Sequence, residues 1–325
     1  MDFELSDDQV ALSEGVRSFC EGRFPIETVR ELEGRGGVDR ALWRELADLG
    51  VFSLRLPEAD GGAGLGWADT VLAFVELGRA LVPGPLVWTH LAAEVLPGAA
   101  AGDAVVAGFE RDDPAGLLEH PDAVDAVLVV DERGIWQVEP AALGLRHVGT
   151  ALDPLTPIAH ITEPLPRGDQ VGDGDAAAAL RLQGAALTAA YLLGLSETAT
   201  ELAVAYARER VQFDRPIGAF QALKHIMADM FTRTEVARGA VYAAGVTLDD
   251  PAVGSVPRAV AAAKVTAGEA ALDNGKACVQ VHGGMGYTWE VDAHLVLKRA
   301  YALEPQLGSG EVWAEVMADL LDAAG

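Results

Sequence analysis

Arg208-Glu209-Arg210-Val211-Gln212-Phe213-Asp214-Arg215-Pro216-Ile217-Gly218-Ala219-Phe220-Gln221 separates two long helical patterns. Upstream, one pattern runs from Ala176 to Arg210, with Leu187, Tyr191, Gly194, Thr198, Leu202 and Ala205 close to a heptad seam. Downstream, a second runs from Phe220 to Leu248 and a third from Val256 to Val279, followed by shorter ones over 291–302 and 312–321. The connections are brief, which predicts antiparallel neighbours packed as a bundle. Within the connecting stretch several arginines converge in an otherwise acidic chain. A guanidinium fork matches phosphate oxygens bidentately. The start of the next helix adds free N–H groups and a positive dipole end. Arginines at a helix end also satisfy its last carbonyls, so charge alone leaves both readings open.

Two further stretches in this half carry chemistry. In Gln280-Val281-His282-Gly283-Gly284-Met285-Gly286-Tyr287-Thr288 the glycines let a ligand or another backbone approach closely. No strand precedes it, so it is not a dinucleotide-binding fingerprint, and a simple helix-ending turn reads equally well. In Arg299-Ala300-Tyr301-Ala302-Leu303-Glu304-Pro305-Gln306-Leu307-Gly308-Ser309-Gly310-Glu311, Pro305 and the glycines break the helix. Glu304 and Glu311 are candidate general bases there, or solvated acids. Asp249-Asp250-Pro251 reads as a helix-ending turn. Trp289 and His294 read as core or interface side chains.

The N-terminal part is helical as well. Ser6-Asp7-Asp8-Gln9 has the form of a capping box, and Leu12, Val16 and Phe19 follow at helical spacing. Another helix spans 40–49, and a third runs from 67 to 81 before Pro83-Gly84-Pro85. The loop Pro57-Glu58-Ala59-Asp60-Gly61-Gly62-Ala63-Gly64 lies between them. The middle changes character. Ala123 to Val130 is an apolar, β-branched run, Asp131-Glu132-Arg133-Gly134 turns it, and Ile135-Trp136-Gln137-Val138 alternates, which predicts a hairpin. Short strands follow up to a turn-rich stretch at 164–174. The expected organisation is an N-terminal α-helical domain over 1–103, a small central β-domain over 104–174 and a C-terminal helical bundle over 175–325. The class is mainly α.

Composition bounds the function. The 325 residues are 50% apolar and 22% charged, which excludes a disordered chain. With 24 Lys+Arg against 49 Asp+Glu the net charge is −25. Such a field argues against nucleic acid or an anionic membrane as the partner, and any anionic ligand needs a local basic pocket. Cys20 and Cys278 stand far apart in no metal-binding spacing, and Met1-Asp2-Phe3-Glu4-Leu5 is no secretory signal. A cytoplasmic location is the expectation. The apolar stretch Ala176–Leu195 is broken by Arg181 and Gln183, so no transmembrane span is expected.

Together these stretches resemble the acyl-CoA dehydrogenase family. Arg210, Phe213 and Gln221 keep its R-x-x-F…Q spacing, followed by Ala228-Asp229-Met230. Gln280 to Gly286 resembles its Q-x-x-GG-x-G, and Pro57-Glu58…Gly61-Gly62…Gly64 its PE-x-x-GG-x-G. The resemblance implies an N-terminal helical domain, a small β-domain and a C-terminal four-helix bundle. It also implies FAD and α,β-desaturation of an acyl-CoA. In the family these motifs contact the flavin of the neighbouring subunit. By that resemblance Arg210 binds pyrophosphate and Phe213 packs by the adenosine half. Gln221, Gln280, Gly283 and Gly284 make polar or backbone contacts.

Two departures qualify it. Gly108-Phe109-Glu110-Arg111-Asp112-Asp113-Pro114 stands where the family carries a TEP-x-x-GSD-type stretch, and nothing replaces its W-x-[TS]-type stretch. This implies a truncated β-domain without its flavin face. Aligning the family's YEGT-like turn puts Gly308 at the position of the catalytic Glu, and Gly184-Ala185-Ala186 is empty where other members carry the base on the first bundle helix. No catalytic residue is expected in this chain. The pattern resembles the short subunits of α2β2 heterotetrameric acyl-CoA dehydrogenases of actinobacterial steroid and cholesterol side-chain degradation. There a full-length partner supplies base and flavin groove. The alternatives are a self-sufficient homo-oligomeric flavoenzyme using Glu304 or Glu311, and a structural paralogue that touches no flavin.

Overall fold

The computed structural model describes residues 4–96, 98–112, 116–166 and 168–322. Five helices come first: α1 (Asp7–Arg23), α2 (Ile26–Leu32), α3 (Arg40–Asp48), α4 (Trp67–Arg79) and α5 (Leu86–Ala92). The capping box forms as the sequence predicts: Gln9 N donates to Ser6 Oγ (3.2 Å), and Ser6 N donates back to Gln9 Oε1 (3.1 Å). It satisfies donors that the first turn otherwise leaves open.

Seven strands follow: β1 (Val106–Glu110), β2 (Leu117–Glu119), β3 (Ala126–Asp131), β4 (Gly134–Val138), β5 (Leu145–His147), β6 (Ile158–Ile161) and β7 (Asp169–Asp173). They form a four-stranded sheet in the order β1-β3-β4-β7 and a three-stranded sheet in the order β2-β6-β5. β3 and β4 are the predicted hairpin, with Asp131 opposite Gly134. The period of two decides which side each residue serves. Ala126, Leu128 and Val130 of β3 join the main core, whereas Val127 and Val129 join Ala107, Phe109 and Leu118 in a second, smaller core. β1 runs parallel to β3 and is stitched to α5 by Thr89, whose hydroxyl accepts from Val106 N (2.9 Å) and donates to Val106 O (3.0 Å).

The bundle is α6 (Gly174–Glu209), α7 (Gln221–Asp249) and α8 (Val256–His282), with α9 (Ala293–Leu303) and α10 (Gly310–Asp322) packed against it. A short hairpin, β8 (Val211–Gln212) and β9 (Arg215–Pro216), joins α6 to α7. α6 is the central element, and its residues 184–197 are buried all round. By length and composition it is apolar enough to cross a bilayer, yet 67% of its apolar window is buried against its neighbours, as in a core helix. The heptad seam departs from the sequence reading at its end. Ala205 faces solvent, and Ala199, Ala203 and Ala207 are buried instead, following an i±4 ridge. At the crossing with α4, a Cβ on Gly194 would overlap the Val75 carbonyl and one on Gly78 the Tyr191 carbonyl, so the helices meet backbone to backbone.

Asp249 does more than end α7. Its carboxylate accepts from Trp67 N (2.7 Å) and Ala68 N (2.8 Å), capping α4 from 181 and 182 residues away. Gly66 is bare because a Cβ there would overlap that carboxylate. Asp249→Ala is expected to cost about 1–2 kcal/mol, the ordinary value of a lost N-cap. A urea unfolding midpoint indistinguishable from the parent's refutes this.

Candidate functional site

The hairpin between α6 and α7 has an unusual tip. Val211 pairs with Pro216 and Gln212 with Arg215, leaving a two-residue loop of Phe213 (φ +52°) and Asp214 (φ +61°). Both central residues are left-handed, as a tight hairpin of this kind demands. Asn-Gly normally fills that role, and a bulky aromatic there is a strained outlier. Phe213 is 85% exposed, so burial within this chain does not explain the strain. Backbone strain held this way clusters at functional sites. Phe220, at the N-cap of α7, meets Phe213 edge-on at 6.0 Å and carries the Arg215 guanidinium at 4.1 Å.

Around this tip the cations lack acidic partners among the described residues. The side chains of Arg208 and Arg210 make no ion pair or hydrogen bond among the described residues. Elsewhere, with acids outnumbering bases two to one, arginines are mostly paired. Arg79 bridges Glu197 and Glu201, and Arg238 bridges Glu197 and Glu235. The helix-end reading of Arg210 therefore fails: its backbone N–H closes α6 on Tyr206 O (2.9 Å), while its guanidinium stays open to an anion.

Tyr206 also ties this hairpin to the glycine turn. Its ring stacks on His282 at 4.2 Å between centroids. His282 is anchored through Nδ1 to the Cys278 carbonyl (2.8 Å) and is followed directly by Gly283. Gly283 has φ +60°, which favours glycine, and a Cβ on Gly283 or Gly284 would meet nothing within 4 Å. These two glycines face open surface, while Gly286, whose Cβ would meet Val279 O at 2.5 Å, serves packing. The sequence-predicted residues Arg210, Phe213, Gln221, Gln280, Gly283 and Gly284 are all exposed. The Tyr206–His282 stack, which links their two segments, is not among the sequence expectations. Its signal is the placement of Tyr206 one turn before Arg210 and of His282 beside Gly283. Tyr287 and Trp289 extend the exposed aromatic surface, with Lys298 at 4.0 Å over the Trp289 ring and His294 edge-on to it.

The segment expected to lack a flavin face is committed to packing. A Cβ on Gly108 would overlap the Trp88 ring, Glu110 pairs with Arg181, and Arg111 pairs with Asp131 (2.9 Å). Asp113 and Pro114 lie outside the described residues.

Of the two candidate acids, one is tied down within the turn and the other lies on the open surface. Glu304 Oε1 accepts from Gly310 N at 2.6 Å, which makes it a local cap, and Glu311 is exposed on the first turn of α10. The Glu304 carbonyl takes the Lys264 ammonium at 2.5 Å. Burial pulls that amine down to about 7, against the field of Glu304. Gly308 has φ +91°, and a Cβ there would sit 2.8 Å from Trp313 Nε1. A glutamate at 308 would require both a different backbone and a displaced indole.

Two family models match the chain: the acyl-CoA dehydrogenase N-terminal domain over residues 6–103 and the acyl-CoA dehydrogenase C-terminal domain over 172–321. The chain is 37% identical over 276 residues to acyl-CoA dehydrogenase IpdE2 of Mycobacterium tuberculosis, covering 82% of this chain and 81% of that one. It is 32% identical over 354 residues to acyl-CoA dehydrogenase FadE34 of the same organism, covering 98% of this chain and 48% of the longer protein. Its fold is similar to the ChsE4-ChsE5 complex from M. tuberculosis, with a TM-score of 0.85, 25% identity and 99% of each chain covered.

Proposed function

This chain belongs to the acyl-CoA dehydrogenase family, and on that premise we propose that it is the short subunit of a heteromeric, FAD-dependent acyl-CoA dehydrogenase. It reaches across an interface to a flavin held by a full-length partner in an α2β2 assembly, and the partner supplies the base. The observation that carries this reading is the hairpin at 211–216, whose strained aromatic tip and unpaired arginines face outward. FAD, when bound, supplies the hydride acceptor for the α,β-desaturation. This chain's own part is binding and orientation. Arg210 presents its fork to the pyrophosphate, with the charge-assisted hydrogen bonds that oxygens of that kind accept. Phe213 shields the adenosine half from water. Gly283 and Gly284 admit the cofactor to backbone contact, and Gln221 and Gln280 offer a donor and an acceptor each.

Several features favour a partner over self-sufficiency. No carboxylate is available at 308 or 184, and 108–111 is filled by packing and ion pairs. The FadE34 match covers about half of a longer chain, the arrangement expected if two such units can be fused. The similar solved structure is itself a complex of two differently named components. The substrate class, a bulky steroid side-chain acyl-CoA, rests on the sequence resemblance.

Co-purification with a full-length partner, followed by flavin analysis and an acyl-CoA panel, tests the reading. About one FAD per heterodimer is expected, because each site is built by two unlike chains. The chain alone is expected to be colourless. A yellow preparation of this chain alone, with stoichiometric flavin, overturns the proposal.

A further inference from the structure

The seven-residue turn from Glu304 to Gly310 is held far more firmly than a surface connection needs to be. Glu304 caps it through Gly310 N, Gln306 donates to Glu119 of β2, and Trp313 Nε1 donates to the Leu307 carbonyl at 2.9 Å. These ties keep Leu307 at φ +53°, a left-handed conformation that a leucine adopts only when its surroundings impose it. The result is that Leu307 turns inward and is 7% exposed. Its Cδ1 occupies the place a side chain at Gly184 of α6 would take, and Leu91 Cδ1 closes the same point at 3.0 Å from that missing Cβ. Gly184 and Gly308 thus flank one side chain. On the far side of Leu91 lies a cavity of about 110 Å3, lined also by Trp67, His90, Leu180 and Gln183 and not by Leu307.

We propose that Leu307 is a built-in plug that fills the space this chain would otherwise offer to an acyl group between α5, α6 and the 304–310 turn, so that only the partner accommodates substrate. This rests on the heteromeric reading above, and it adds the cause of the one-sidedness. The site is closed by a side chain held in place as well as lacking a base. A buried leucine in a dry, close-packed contact excludes even small apolar molecules. Removing it from a rigid frame leaves an empty apolar cavity of the kind that takes up xenon or benzene.

Leu307→Gly is the decisive variant, because glycine suits the left-handed backbone and the fold loses only the side chain. Leu307→Met keeps the volume and serves as the filled control. Crystals of the full chain, alone or with its partner, are exposed to xenon. A xenon site bounded by Leu91, Gly184 and position 307 is expected in Leu307→Gly and in neither the parent nor Leu307→Met. Xenon at that point in the parent overturns the plug, and so does its absence from Leu307→Gly. The readout needs no flavin. Failure of the heteromeric reading therefore shows as missing flavin with the xenon pattern intact, and failure of the plug shows as the reverse.

Discussion

Arg210→Ala is expected to release flavin from the assembled complex while leaving the fold of this chain untouched. The two halves of that expectation come from one geometry. The guanidinium of Arg210 is exposed and has no partner among the described residues, so its removal breaks no internal contact. Surface substitutions of this kind usually stay within about 0.5 kcal/mol of the parent's stability. Against a pyrophosphate the same side chain makes hydrogen bonds with a charged acceptor, worth about 1.5–3 kcal/mol. Flavin affinity should therefore fall roughly 10- to 150-fold. Arg210→Lys keeps the charge but loses the planar fork and should fall between the two. The measurement is flavin retained per complex on dilution, read by absorbance, beside a urea unfolding curve of the isolated chain. Undiminished flavin in Arg210→Ala would leave this chain a structural scaffold only.

What the sequence made legible was whatever repeats locally. The capping box at Ser6 and Gln9, the hairpin at Asp131–Gly134 and the long helices of the bundle all depend on residues within a turn or two of each other, and each is present. The exposed Arg210, Phe213 and glycine turn were readable because their spacing resembles a family pattern. The conformation of Phe213 was not, because nothing in the one-dimensional order forces an aromatic residue to φ +52°. Contacts between distant segments left no trace. Asp249 reads as a turn residue until α4 arrives at it. A short irregular turn hides its contacts too: Glu304 reads as a free acid until the turn brings Gly310 N back to it. The second small sheet, β2-β6-β5, escapes detail because strands of three or four residues carry too little alternation to show a period.

A buried contact between distant segments also carries the largest expected stability effect. Asp153→Ala should destabilise the chain by about 3–5 kcal/mol, the usual cost of leaving one member of a buried ion pair uncompensated. Arg299 on α9 is 2% exposed and donates through Nε to Asp153 Oδ2 at 2.5 Å. Its Nη1 donates to Tyr191 Oη at 2.8 Å and to the Leu81 and Val82 carbonyls at 3.2 and 3.3 Å. One guanidinium thus ties the end of α4, the centre of α6, the β5–β6 connection and α9. Among the described residues, Asp153 alone pairs with it at contact distance. Burial by itself raises the Asp153 carboxyl, but the Arg299 charge and hydrogen bond override it and hold that carboxyl below its ordinary range. The sign of the pH dependence follows. The unfolded chain holds this proton more tightly than the folded one, so stability rises with pH between the two values. The contribution is fully present above about pH 4, where an unfolded aspartate is ionised, and is lost as pH falls through the lower folded value. Asp153→Asn should flatten that acid limb. The double variant Asp153→Leu/Arg299→Met should recover much of the loss, since well-packed apolar residues often replace a buried pair without penalty. Urea unfolding of the parent, Asp153→Leu, Arg299→Met and the double variant at neutral and acid pH completes the cycle. Additive single losses with no recovery in the double variant would mean that Asp153 and Arg299 act separately and that the pair is no keystone.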